Sequence, residues 1–252
     1  MGKKILFSDL DGTLYIHGVV SDADREAIRR WRADGNLFAM ASGRHLSALK
    51  QHLTEHGVEW DYLICLNGGE IYDAEDNLLY ESAIDIRILP SLFETVARDD
   101  GWANVCCGMR ADRIKAANCT DFNADHAHYD VSHLSTFTKF TQICTARKDV
   151  NLGAEIKRDV LEKFGDYVCA ELNGTSLDVD AKGVSKSNGI AELIRRIGVP
   201  DDCVYTVGDN FNDLSMLTAY QGYAMEHGPE EVRRKTGRCI RSVAALIDLL
   251  SE

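Results

Sequence analysis

Short apolar runs, each stopped by a polar cluster, recur along the chain. Ile5-Leu6-Phe7 meets Ser8-Asp9, Leu37 to Ala41 meets Ser42-Gly43-Arg44, Tyr62 to Leu66 meets Asn67-Gly68-Gly69, and Cys203 to Val207 meets Gly208-Asp209. Runs this short, bounded by turn-forming residues, suit strands buried on both faces. Between them the apolar period lengthens to that of a helix. Ala23, Ala27, Ile28 and Trp31 share a face behind Ser21, whose partner in a capping-box-like start is Asp24. Leu46, Leu49 and Leu53 form a second stripe, Ile190, Leu193, Ile194 and Ile197 a third, and Val243, Leu246, Ile247 and Leu250 a last one. Glu70 to Tyr80 reads as a hairpin around Ala74 to Asn77. Strands alternating with helices predict an α/β fold: a Rossmann-like, doubly wound, mostly parallel sheet with helices on both faces.

The rhythm changes between about Ser82 and Asp180. Trp102 to Met109 and Lys139 to Thr145 read as strands, Val150 to Phe164 as a helix, and Tyr167 to Val179 as two strands hinged at Asn173-Gly174, while residues 119–135 are polar and weakly periodic. The simplest organisation is a discontinuous core, 1–81 with 181–252, interrupted by an inserted α+β domain over 82–180.

Composition narrows the function classes. The chain has 252 residues, 45% hydrophobic and 27% charged, and carries a formal net charge of −12. That excludes fibrous and disordered classes, and an acidic surface without clustered Lys and Arg argues against nucleic acid as a partner. Eight Cys without a C-x-x-C read as mostly buried thiols in a reducing compartment. No run approaches a membrane span, and the N-terminal apolar run is too short for a signal peptide, so a cytoplasmic location without membrane partners is expected. A small phosphorylated metabolite stays admissible, because a metal ion or a few cations outweigh the mean field inside a cleft.

Parallel strands would bring three polar clusters to one sheet edge: Asp9-Leu10-Asp11-Gly12-Thr13, Ser42-Gly43-Arg44, and Gly208-Asp209-Asn210-Phe211-Asn212-Asp213. In extended chain, Asp9 and Asp11 point to the same side, so both carboxylates are expected in one pocket. Together with Asp209 they place more negative charge there than a site holds unpaired, which a hard divalent cation such as Mg²⁺ would resolve. Asp9 is then a candidate nucleophile toward phosphorus, Asp11 a general acid, and Ser42 a donor to a phosphoryl oxygen. Lys186, at a helix start, is the candidate cation. Each piece alone has an ordinary explanation. D-x-D-G-T is most often a solvated turn, and it fails as an EF-hand because Val20 stands where the bidentate Glu would be. Ser42-Gly43-Arg44 is a common loop, G-D-x-x-N-D suits a helix cap, and lone lysines are usually on the surface. Jointly, in this order and after strands, they are hard to explain as turns.

The set D-L-D-G-T-L at 9–14, A-S-G-R at 41–44, N-G-G at 67–69, K-G-V-S-K at 182–186 and V-G-D-N-F-N-D at 207–213 resembles the haloacid dehalogenase-like (HAD) hydrolase superfamily. Within it, the pattern is similar to the Cof-like phosphatases with a type IIB cap. The resemblance implies that Asp9 becomes an aspartyl-phosphate, that Asp11 is general acid and base, and that Ser42, Gly43 and Lys186 bind the phosphoryl group. It implies Mg²⁺ held by Asp9, the backbone carbonyl of Asp11 and Asp209, with Asp213 in support. The inserted domain would be the cap that selects the leaving group. Two positions depart from the family pattern: Met225-Glu226-His227-Gly228 in place of M-x-N-A, and Ser185-Lys186-Ser187 in place of S-K-G.

Arg44, Asn67 and Asn212 are weaker candidates for substrate contact, against a surface ion pair or turn roles. In the inserted domain Asn104, Arg110, Lys139 and Asn173 are chosen only for polarity near strand ends. The His-rich stretch Asp125 to His133 invites a zinc reading, but its spacing matches no standard structural site. The expected activity is hydrolysis of small phosphomonoesters, sugar phosphates first. A phosphotransferase or mutase on the same motifs, and a non-catalytic ligand-binding regulator on the same fold, remain alternatives, and oligomeric state is open.

Overall fold

The computed structural model describes residues 3–98, 101–119 and 128–252. The chain divides into two compact units, Met1–Tyr80 with Ser185–Glu252, and Glu81–Val184.

In chain order, the first unit contributes β1 (Ile5–Ser8), α1 (Asp22–Ala33), β2 (Leu37–Ala41), α2 (Leu46–Glu55), β3 (Tyr62–Cys65), β4 (Glu70–Asp73) and β5 (Leu78–Glu81). The second unit follows with α3 (Leu89–Ala97), β6 (Trp102–Cys107), β7 (Arg110–Lys115), β8 (Gln142–Ala146), α4 (Val150–Phe164), β9 (Val168–Asn173) and β10 (Ser176–Ala181). The chain then returns to the first unit through α5 (Lys186–Ile197), β11 (Val204–Gly208), α6 (Leu214–Ala219), β12 (Gln221–Met225), α7 (Glu230–Thr236), β13 (Cys239–Ile240) and α8 (Val243–Ser251).

The first unit is an eight-stranded sheet in the order β13-β12-β11-β1-β2-β3-β4-β5. Pairing is parallel from β13 to β3 and turns antiparallel at β4. Side chains alternate along each strand, and the two sets go to different partners. Ile5, Phe7, Ala39, Ile64 and Val204 form one cluster with Ile190, Leu193, Met216 and Val232 from α5, α6 and α7. The intervening Leu6, Phe38, Met40 and Leu63 are equally buried. They face the other way, where α1, α2 and α8 are the remaining helices. On that side α1 begins on Ser21, whose Oγ accepts from the Asp24 amide at 3.0 Å. Asp24 in turn accepts from the Ala244 amide at 2.8 Å and joins α1 to α8.

The second unit is a five-stranded sheet, β7-β6-β8-β10-β9, antiparallel throughout its registered pairs. Phe93 and Val96 of α3, with Ile156 and Val160 of α4, pack on Ala103, Val105, Ile143 and Val179. The unit limits fall at 80/81 and 184/185, whereas the change of sequence rhythm places them at 81/82 and 180/181. The later return has a physical cause. β10 keeps pairing through Ala181 opposite Val168, and the Cys169 thiol lies 3.5 Å from the Val184 carbonyl, so the segment belongs with its sheet.

Several sequence expectations need correction. β3 stops at Cys65, and Leu66–Gly68 is a helical turn with Asn67 in the left-handed region at φ 54°. The thiols are not mostly buried: Cys65 and Cys106 are, five others are partly exposed, and Cys239 is exposed. The helices α3 and α7 and the strands β7, β12 and β13 have no counterpart in the sequence reading. Of the His-rich stretch Asp125 to His133, residues 125–127 lie outside the described residues. His133 is engaged, its Nε2 lying 2.8 Å from Asp112 Oδ2 with its ring stacked on Tyr129. Among the described residues no helix is long and apolar enough to cross a membrane.

The start of α5 is seated by a close approach of two glycines. A Cβ on Gly68, itself at φ +110°, would lie 2.3 Å from the Ser185 carbonyl, and one on Gly189 would lie 2.8 Å from Gly68 Cα and 2.9 Å from an Ile64 methyl. Neither contact leaves room for a methyl group. We expect Gly189→Ala to cost about 1–3 kcal/mol in urea unfolding; an unchanged midpoint would show that the helix start does not depend on this contact.

Candidate active site

Every candidate core residue lies just beyond the carboxyl end of a strand or at the start of α5. Asp9 follows β1 and continues its parallel pairing, its amide donating to the Val207 carbonyl at 3.0 Å. Ser42 follows β2, with its amide on the Ile64 carbonyl at 2.9 Å, and Asp209 follows β11. Asp213 ends the turn Phe211–Asp213, where Asn210 and Asp213 cap each other reciprocally. Lys186 is the first residue of α5, behind the N-cap Ser185, whose Oγ accepts from the Asn188 amide at 3.2 Å.

The structure brings Asp9, Asp209, Asp213 and Lys186 together. The Lys186 ammonium donates to Asp9 Oδ1 and to Asp213 Oδ1, both at 2.6 Å. All three groups are buried, at 1% exposure for Lys186, 5% for Asp9 and 0% for Asp213. The other oxygen of Asp213 accepts the amides of Asp209 at 2.9 Å and Asn210 at 3.1 Å. Asp213 therefore stands behind the site and fixes the loop that presents Asp209. Candidate ligand oxygens of Asp9, Asp209 and Asp213 lie within 4.8 Å of one another.

Charge is in excess there. Three carboxylates against one ammonium leave two negative charges within a buried cluster. Burial pushes the Asp9 carboxyl up to about 7 against the pull of Lys186, and Asp213 and Asp209 push the same way. Burial also raises Asp209, with Asp213 adding to it. For Lys186, burial favours the neutral amine, but Asp213 and Asp9 together outweigh it and hold the ammonium. A divalent cation would restore neutrality, and an all-oxygen donor set suits a hard ion. The residues present therefore fit Mg²⁺.

Asp11 departs from expectation. The strand ends at Ser8, so period-two alternation does not reach Asp11, and the chain turns instead, with the Leu10 carbonyl accepting the amides of Thr13, Leu14 and Tyr15. Its side chain, 52% exposed, stands apart from the acidic cluster in a bidentate pair with Arg44, at 2.8 Å to Nε and 2.7 Å to a terminal nitrogen. Arg44 is thus placed on Asp11, and its guanidinium is held further toward the charged form by that hydrogen bond.

Ser42 is buried, and its Oγ accepts the Arg44 amide at 3.2 Å, which leaves its hydroxyl proton to donate. Gly43 lies between them in the same partly buried loop. The Asn67 amide donates to the Ser42 carbonyl at 3.0 Å, which ties the loops after β2 and β3. Asn212 Oδ1 is buried without a hydrogen-bond partner among the described residues. In the second unit the four polarity-based candidates are spread out. Arg110 bonds His133 and Thr136, Asn104 accepts from Arg113 at 3.1 Å, Lys139 pairs with Glu81, and Asn173 ends β9.

Thr13 was not a candidate, yet its Oγ1 donates to Asp209 Oδ1 at 3.1 Å. The signal was present in D-L-D-G-T, where a hydroxyl follows two acids. Gly12 between them is required on two counts: its φ is +89°, and a Cβ would lie 2.5 Å from Asp209 Oδ2.

Comparison with known proteins identifies the family. The family model for haloacid dehalogenase-like hydrolases matches residues 6–244. The 5-amino-6-(5-phospho-D-ribitylamino)uracil phosphatase YcsE of Bacillus subtilis is 24% identical over 237 residues, covering 91% of this chain and 86% of that protein. A Streptococcus pyogenes relative, 23% identical over 243 residues, is longer: the match spans 89% of this chain but 47% of that protein. Among solved structures, the subclass IIB sugar phosphatase BT4131 superposes with a TM-score of 0.76 at 21% identity, covering 99% of this chain and 98% of that one. The chain belongs to the haloacid dehalogenase-like hydrolase family, and its fold is shared with subclass IIB.

Proposed function

We propose that the protein is a Mg²⁺-dependent phosphatase that hydrolyses small phosphomonoesters, sugar phosphates first, through an aspartyl-phosphate on Asp9. The observation that carries this reading is the buried Lys186 ammonium held between Asp9 and Asp213, with Asp209 beside them. Phosphatase names among the relatives, YcsE and BT4131, support the same class.

Lys186 fixes one oxygen of Asp9 and leaves the other to attack phosphorus. Its third ammonium hydrogen and the Ser42 hydroxyl are available to the phosphoryl oxygens, with Gly43 in the loop between Ser42 and Arg44, so negative charge gathering on the transferring group meets fixed donors. As the ester bond breaks, Asp11, which takes up a proton from solvent once it is free of Arg44, gives that proton to the leaving oxygen. Both Asp11 oxygens are engaged by Arg44, so this step requires the pair to open. Asp11, now a carboxylate, takes a proton from water that attacks the aspartyl-phosphate, and inorganic phosphate leaves with Asp9 regenerated. Mg²⁺, held by Asp9, the Asp11 carbonyl and Asp209 with Asp213 in support, would neutralise the carboxylate excess and polarise the phosphoryl oxygens. The Glu81–Val184 unit carries none of these groups, and we assign it the choice of leaving group.

A screen of phosphomonoesters with and without Mg²⁺ tests the reading. Asp9→Asn is expected to lose on the order of 10⁴-fold or more in kcat without losing stability, because the amide removes a charge that burial disfavours; equal phosphate release by wild type and variant would overturn the nucleophile assignment. Lys186→Met leaves two buried carboxylates without their cation and is expected to cost about 3–5 kcal/mol in urea unfolding as well as activity. Mg²⁺ is expected to raise the Tm of the wild type and not that of Asp209→Asn, and a shift of equal size in both would place the metal elsewhere.

A further inference from the structure

We propose that His227 is a positioning residue for the phosphoryl site: its imidazole ties the loop after β12 to the loop after β1 and so sets Gly12 against Asp209. His227 Nε2 lies 2.8 Å from the Gly12 carbonyl oxygen, across 215 positions of sequence. A carbonyl only accepts, so Nε2 carries the hydrogen.

The bond closes a circuit around Asp209. Gly12 touches its carboxylate side, where a Cβ would sit 2.5 Å from Oδ2. Gly228, the neighbour of His227, touches its backbone, where a Cβ would sit 2.5 Å from the Asp209 carbonyl oxygen. Thr13 Oγ1 reaches Asp209 Oδ1 from the Gly12 side. Two loops distant in sequence therefore meet on one acid, and His227 is the side chain that joins them directly.

The loop carrying His227 is itself anchored. The Glu226 amide donates to the Ile240 carbonyl at 3.0 Å, the Gly228 amide to the Met225 carbonyl at 2.9 Å, and Arg233 Nε to the Gly228 carbonyl at 3.1 Å. His227 thus transmits the position of a fixed loop to a turn held mostly by its own local hydrogen bonds. That turn carries the Asp11 carbonyl, proposed above as a metal ligand together with Asp209. The consequence for the metal rests on the phosphatase reading, whereas the tie does not. The ring is exposed, so shortening it removes a hydrogen bond with little core packing.

The experiment compares wild type, His227→Ala and His227→Gln, whose amide nitrogen reaches about as far as Nε2. Amide hydrogen exchange of the metal-free proteins reads the tie, and Mg²⁺ half-saturation of the thermal shift reads its consequence. Exchange over residues 9–15 is expected to be about fivefold faster in His227→Ala, the loss of one ordinary hydrogen bond, with a higher Mg²⁺ half-saturation, and both are expected near wild type in His227→Gln. Unchanged exchange in His227→Ala, a Gln variant no better than Ala, or faster exchange with unaltered Mg²⁺ half-saturation would each overturn the proposal. Loss of all phosphatase activity in the wild type would instead count against the phosphatase reading, while exchange still judges the tie.

Discussion

An ammonium enclosed between two enclosed carboxylates sets the terms for the rest of the first unit. Removing three charges from water costs several kcal/mol per ion, and only short, well-directed contacts offset it. Lys186 makes two such contacts, to Asp9 and Asp213 at 2.6 Å. Its reach requires the start of α5 to sit close to the turn after β3, hence the glycines at 68 and 189, where a side chain on either would meet backbone. Asp213 in turn must offer its second oxygen to the Asp209 and Asn210 amides, so the turn after β11 has one admissible shape. The parallel strand order brings β1 and β11 side by side and delivers both acids to the same edge.

The same contacts leave the cluster unsatisfied in a functionally useful direction. One ammonium cannot neutralise three carboxylates, and burial, with the neighbouring carboxylates adding to it, raises Asp9 and Asp209. A site built this way suits the hard cation and the anionic ester proposed above. The acidic chain as a whole, at −12, therefore poses no obstacle to a phosphorylated ligand.

Much of the first unit was legible in the sequence because its strands are buried on both faces and each ends abruptly in polar residues. Asp9, Ser42, Asp209 and Asp213 stood out as candidates from that punctuation, and Lys186 from its place at the start of a helix. Asp11 was misplaced in detail because alternation was extended past Ser8, where the strand has ended and local hydrogen bonds around Leu10 redirect the side chain toward Arg44. His227 was missed as a site residue because its partner, Gly12, lies 215 positions away and no local pattern encodes the pairing, whereas the Thr13 hydroxyl was present in D-L-D-G-T and only its partner, Asp209, 196 positions away, was hidden. In the second unit α3 escaped notice although Leu89, Leu92, Phe93 and Val96 recur at helical spacing. β13 escaped because it is only two residues long, and β12 because Gln221-Gly222-Tyr223 opens it without an apolar run.

The central claim is that Asp9 becomes covalently phosphorylated, and direct capture of that intermediate tests it. Acid quenching of the enzyme during turnover of a phosphomonoester with Mg²⁺, followed by peptide mass analysis, is predicted to show a transient phosphate on the peptide containing Asp9 and none in Asp9→Asn. Turnover with phosphate release but no adduct at any quench time, or an adduct on another residue, would contradict the account.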